Sequence, residues 1–194
     1  MNQKTEQKRK SHDAILASAT SLLLERGIRA SSILDVMKGA GLTVGGFYGH
    51  FESKEHLFTE TLRSTARTLW TALLQKAASD TSRPAALNVL ERYLSRKHRD
   101  NLEAGCPLPS IAAEVAREGE PYRGALEVEL AEFVRSYAEL LGPEARRREK
   151  ALALIALMYG ALSLSRAVRG TRLGDEFLEA ARKLGAHVLA SDAP

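Results

Sequence analysis

Along almost the whole of this 194-residue chain the apolar residues recur at intervals of three and four, and nowhere do they alternate singly over a sustained stretch. That period lines one stripe of an α-helix and cannot line the face of a strand. Runs of Val, Ile and Thr are few, so the expected class is all-α, with about nine helices. Ile15, Ala19, Leu22 and Leu23 give a first stripe that closes at Gly27. A short second helix carries Ile33, Val36, Met37 and Ala40, with Ser31 or Ser32 as its N-cap and Gly41 as its stop. A third begins at Thr43 and sets Val44, Phe47, Tyr48 and Phe51 at i, i+3, i+4, i+7. A fourth starts at Ser53 and runs through Leu57, Phe58, Leu62, Ala66, Leu69 and Leu73 to about Ser79. Beyond Pro84 the pattern predicts helices over 85–101, 107–117, 121–141, 143–169 and 174–190. Pro84, Pro107, Pro121 and Pro143 stand at or before first turns, and Gly105, Gly119, Gly142, Gly170 and Gly174 mark the breaks.

A hydrophobic fraction of 44% is enough for a packed core. A lone cysteine, Cys106, excludes a disulfide framework and a multi-thiolate zinc site. The basic start of the chain has no apolar core of a signal peptide, and the longest uncharged stretch, 151–165, falls short of the roughly 20 residues that cross a bilayer. A cytoplasmic protein with no membrane partner is expected. The net charge of +4 invites a nucleic-acid reading, but residues 1–60 hold 8 Lys/Arg against 7 Asp/Glu, so bulk charge does not carry it. Placement does.

The segment 31–54 holds two short helices separated by Gly39-Ala-Gly-Leu42, the tight glycine-containing turn of a helix-turn-helix. In that motif the second helix enters the DNA major groove. Thr43 can cap that helix and offer its hydroxyl to a phosphate, and Val44 can meet a thymine methyl. Gly45 and Gly46 each cost about 1 kcal/mol relative to Ala inside a helix, which points to another surface approaching the backbone closely. Tyr48, His50 and Lys54 add polar tips and a charge nearby, and the basic arm Lys8-Arg9-Lys10 precedes them. Phe47, Phe51 and Phe58 give the N-terminal unit its own core.

The run GLTVGGFYGHFESKEHLF, from Gly41 to Phe58, resembles the signature of the TetR/AcrR family of bacterial transcriptional regulators, and the likeness extends back to about Ser11. The resemblance implies a DNA-binding unit over 1–52 and a helical effector-binding and dimerisation unit over 53–194. It implies phosphate contacts from Ser31, Thr43, Tyr48, His50 and Lys54, with Ser32 beside them, and base or groove contacts from Val44, Gly45 and Gly46. One position departs from the pattern. Where many relatives carry an arginine that reaches a base, this chain has Leu34, and base readout from the second helix is not expected.

Nothing past Ser53 forms a catalytic constellation: there is no phosphate-binding glycine loop, no nucleophile elbow, and no metal-ligand spacing among the five His. No enzyme activity, cofactor or metal is expected. A helical carrier and a protein-binding adaptor stay open as rival classes, separable by a gel shift and by the salt dependence of binding. The last two helices are apolar over a wide arc, which fits a single-chain core or a partner surface. The resemblance favours a homodimer that pairs Leu154, Leu157, Met158, Ala161, Leu162, Phe177, Ala181 and Leu184 in a four-helix bundle. Two readers one DNA turn apart then demand a pseudo-palindromic operator in double-stranded DNA. Trp70, Tyr93, His98, Cys106, Tyr122 and Tyr137 are the candidates to line a pocket for a small-molecule effector. At a helix start, Cys106 is either a thiol activated toward electrophiles or an inert buried one. Repression relieved by the effector, through displacement of the helix that begins at Ser53, is the expected output.

Overall fold

The computed structural model describes residues 3–102, 106–143 and 146–191. Among them there is no strand. The described residues form nine α-helices and one 3-10 helix: α1 (Gln3–Arg26), α2 (Ile33–Gly39), the 3-10 reader helix (Val44–Gly49), α3 (Lys54–Ala78), α4 (Ala85–Tyr93), α5 (Arg96–Asp100), α6 (Leu108–Glu118), α7 (Tyr122–Leu140), α8 (Arg147–Ala167) and α9 (Arg172–Ala190). The expected all-α class is what the chain adopts.

Local chemistry explains the boundaries. α1 buries Ile15, Ala19, Leu23 and Leu24 and ends at Gly27, whose φ of +81° only glycine holds cheaply. Ser32 caps α2 by accepting from Asp35 N–H, and Ser53 caps α3 by accepting from His56 N–H. The expected helix over 85–101 is two helices. Ser95 accepts from His98 N–H and so starts α5, a cap with neither Gly nor Pro beside it to announce the break. α9 begins at Arg172 under a Thr171 cap, so Gly174 is an interior glycine and not a break. Gly105, expected as a break, lies outside the described residues.

Two apolar clusters fill the molecule. The larger joins α3, α4, α7, α8 and α9 around Trp70, Leu90, Phe133, Tyr137 and Met158. The smaller gathers α1, α2 and the reader around Ile15, Met37, Phe47, Phe51 and Phe58, and takes in Ile111, Val115, Tyr122 and Ala125 from α6 and α7. A bidentate ion pair from Arg67 to the buried carboxylate of Glu129 ties α3 to α7.

The surface expected for dimerisation is redistributed. Leu154, Met158, Ala161, Leu162 and Ala181 are buried in the chain's own core, because α8 and α9 pack on each other and on α4 through these faces. Leu157 and Phe177 are half-buried, and Leu184 is exposed. The outward side carries Leu152, Leu164 and Leu173 together with Leu184, four of the large apolar side chains that remain exposed.

Candidate nucleic-acid interface and effector cavity

The turn after α2 is closed by Gly41 at φ +69° and by Leu42 N–H donating to Met37 O at 2.9 Å. The reader that follows is a 3-10 helix and not the expected α-helix. Phe47 and Phe51 anchor it, both buried, with ring centroids 5.9 Å apart. Six residues packed through one side bury no continuous stripe, so Val44 and Tyr48 stand exposed, with Thr43, Gly45 and Gly46 beside them. Thr43 occupies the N-cap position but its side chain makes no capping hydrogen bond, which leaves the hydroxyl for an outside partner.

The two serines part company. Ser31, expected at a phosphate, is fully buried and donates its hydroxyl to Gly27 O at 2.7 Å, so it braces the turn after α1 and faces no groove. Ser32 is exposed, yet its hydroxyl is occupied with Asp35: it accepts from the backbone N–H at 3.1 Å and donates to the carboxylate at 2.7 Å. Lys54 is half-buried, its Nζ 3.4 Å from Arg29 O and 5.7 Å from the Phe58 ring centre. His50 lies in a basic recess with Lys4, Lys8, Arg9 and His12, its ring stacked on His12 at 6.1 Å. Partial burial, then the neighbouring His12 and Lys8, holds its pKa below the ordinary histidine value.

A second opening, of about 650 Å³, lies between α3, α4 and α5. Trp70, Tyr93, His98 and Cys106 line it, as expected. Tyr137 does not, because it is buried in the main core with its hydroxyl donated to Ala86 O at 3.1 Å. Tyr122 is likewise buried, in the N-terminal cluster. Asn88 was missed; an amide in the otherwise apolar start of α4 was the signal. It lines the cavity and its Nδ2 donates to Ala77 O and Asp80 O, closing the loop after α3.

Cys106 is held on every side. Its N–H donates to His98 Nε2 at 2.8 Å, and His98 Nδ1 lies 2.6 Å from Tyr93 O. A carbonyl only accepts, so His98 is the neutral Nδ1–H tautomer. Trp70 Nε1–H donates to Sγ at 3.3 Å, and the Tyr93 hydroxyl is hydrogen-bonded to the same sulfur. Arg166 of α8 donates to the carbonyls of His98, Arg99 and Cys106. Of the two readings of Cys106, the buried thiol is the one its surroundings fit. Burial pushes the thiol pKa up and outweighs the donors around the sulfur.

From Cys106 the chain passes directly into α6, and α6 grips the reader's foundation. Glu114 accepts from Ile28 N–H and Arg29 N–H, both at 2.8 Å, and Ser110 donates to Leu24 O at 3.1 Å. α3 makes the same journey in one piece, capped beside the reader at Ser53 and reaching the cavity at Trp70.

Residues 15–61 match the family model described as bacterial regulatory proteins, tetR family. KstR2, a helix-turn-helix transcriptional repressor of Mycobacterium tuberculosis, is 43% identical over 49 residues, which cover 25% of this chain and 24% of KstR2. The chain thus covers about a quarter of the length of the first curated relatives it matches. The Escherichia coli repressor NemR is 28% identical over 66% of this chain and 64% of its own. The crystal structure of NemR in its reduced form shares the fold with a TM-score of 0.75 and 22% identity, over 92% of this chain and 94% of that one. SCO4454, a TetR-family regulator from Streptomyces coelicolor, gives a TM-score of 0.77 at 20% identity over 98% and 96%. Fold and reader together have the form of a helix-turn-helix unit seated on an all-helical body. The chain's N-terminal segment, residues 15–61, is thus similar to the tetR family of bacterial regulatory proteins, and the relatives matched here are named as transcriptional repressors and regulators.

Proposed function

We propose that this chain is a cytoplasmic, dimeric repressor that reads a pseudo-palindromic operator through residues 43–50 and releases it when a small molecule enters the cavity beside Cys106. Residues 1–52 are the reader and 53–194 the sensor. The observation that carries this reading is the rigid connection between the two sites. Both α3 and α6 run from the cavity wall to the base of the reader, so a ligand that moves either helix re-aims Val44 and Tyr48. Coupling of this kind is typically about 1–3 kcal/mol, a 5- to 150-fold change in operator affinity. The half-exposed leucines of α8 and α9 support the dimer, whose two-fold axis sets two readers against successive major grooves.

An electrophile is the favoured effector. The Cys106 sulfur lies in the cavity wall, and NemR, which shares the fold, is a protein whose structure is described as a reduced form. In the reaction the sulfur bonds to the β-carbon of a conjugated acceptor and the thiol proton ends on the α-carbon. The adduct then occupies the space next to His98 and Trp70. Burial of the thiol favours a second reading, in which the ligand binds without a covalent bond. Fluorescence anisotropy with a selected operator, with and without N-ethylmaleimide, separates them. Wild type is expected to lose DNA on treatment and Cys106→Ser to keep it. Equal release by both proteins rejects the covalent route.

A further inference from the structure

The reader surface is unusual for what it lacks. Leu34 of α2 is 61% exposed, Val44 is 41% exposed and Tyr48 is 70% exposed. Between Val44 and Tyr48 lies bare backbone at Gly45 and Gly46, with Gly49 following. None of these three glycines has a positive φ. A Cβ added at Gly45 or Gly49 meets nothing within 4 Å, and one at Gly46 meets only Met37 Cε at 3.9 Å. Neither backbone conformation nor internal packing therefore requires glycine at any of them. The bare backbone there is open to close approach by an outside surface, and Leu34 and Val44 are exposed apolar side chains on the two elements of the same helix-turn-helix.

In the major groove the base edges offer hydrogen-bonding groups and one apolar feature, the 5-methyl of thymine. Leu34 and Val44 have no donor or acceptor to offer a base edge. On α2 the exposed neighbour one turn along is Lys38, a phosphate-seeking charge. We propose that Leu34, with Val44, forms a methyl-reading pair, so that each operator half-site requires thymines where these two side chains meet the groove. The second helix does then contribute to sequence readout, by apolar contact in place of a polar one. This rests on the DNA-binding reading above.

Uracil lacks only the methyl group, so it isolates the contact. The operator is first selected from random duplexes, then synthesised with deoxyuridine replacing thymidine at one position at a time. Burying one methyl is worth about 0.8 kcal/mol, or roughly fourfold in affinity. The expected result is a loss of about that size at one or two thymines per half-site. Leu34→Ala should lower affinity for the thymidine operator by a similar factor and become indifferent to deoxyuridine at one of those positions, with Val44→Ala indifferent at another. Leu34 is exposed, so its substitution should leave the thermal midpoint unchanged and folding does not confound the test. Equal affinity for thymidine and deoxyuridine operators overturns the proposal, as does a deoxyuridine loss that persists undiminished in both variants. Failure to select any duplex at all overturns the DNA-binding reading itself, a distinct outcome.

Discussion

Glu114 offers a quantitative test of how the sensor holds the reader. Its carboxylate accepts two backbone N–H groups, Ile28 and Arg29, at 2.8 Å each, across the turn between α1 and α2. Hydrogen bonds to a charged group contribute about 1.5–3 kcal/mol apiece when desolvated. Glu114 is half-buried and Arg29 N–H lies at the surface, so water replaces part of what a substitution removes. A net loss of about 2 kcal/mol for Glu114→Ala is the resulting figure. In a protein of this size that lowers the thermal midpoint by about 4–8 °C. Glu114→Gln keeps one acceptor oxygen and turns an amide N–H₂ toward the other donor, so it should fall between wild type and Ala. Thermal melts followed by circular dichroism give this order, and operator titrations with and without effector give the second half of the test. Because the carboxylate is, beside Ser110, a polar link from α6 to the reader's foundation, Glu114→Ala should also weaken the response to effector. A Glu114→Ala protein that melts within 1 °C of wild type refutes the energetic claim. One that melts early but keeps the full effector response refutes the transmission role.

His98 predicts a pH dependence with a definite sign. Burial holds its folded pKa below the ordinary value near 6.5, so on acidification the unfolded chain takes up the proton first. Its contribution to stability is complete above about pH 6.5 and is lost as pH falls through the depressed folded value; melts at pH 7.5, 6.5 and 5.5 should show a falling midpoint, flattened in His98→Gln. His50, shifted the same way, contributes to the slope left in that variant, as do carboxylates such as Asp175 toward the acid end. Replacing Leu184, exposed on the outer side of α9, by Glu should convert a dimer to a monomer in light scattering while leaving the melt of the monomer intact, since the side chain supports no internal core.

The parts legible in the sequence were those with a local cause. Ser53 and Gly27 bound their helices through chemistry confined to one turn, and the Gly41 turn and the phenylalanine pair follow the same logic. Long-range placement was not legible. Tyr93 and Tyr137 are both buried tyrosines on helices, and only the packing of α4 against α7 decides that one lines the cavity while the other fills the core. Ser31 and Ser32 are adjacent, so a single residue step swings one inward and the other out. The partners of Glu114 lie more than eighty residues away, and no periodicity reports such a contact. Cys106 shows the same limit: its helix start left an activated and a buried thiol both open, and only the packing around it decides for burial.

The apolar cluster beneath the reader draws Ile111 and Val115 from α6 and Tyr122 and Ala125 from α7. The DNA-reading unit is therefore not a portable module. Cut at residue 52, it loses Leu57, Phe58 and Leu62 as well as the inner face of α6, and what is left is a three-helix fragment with its floor removed. A chimera that grafts this reader onto another sensor must carry a matching α6 face with it, or the graft will open where the two ancestries meet. Operator choice and sensor body are free to diverge in this fold only as fast as that shared floor allows.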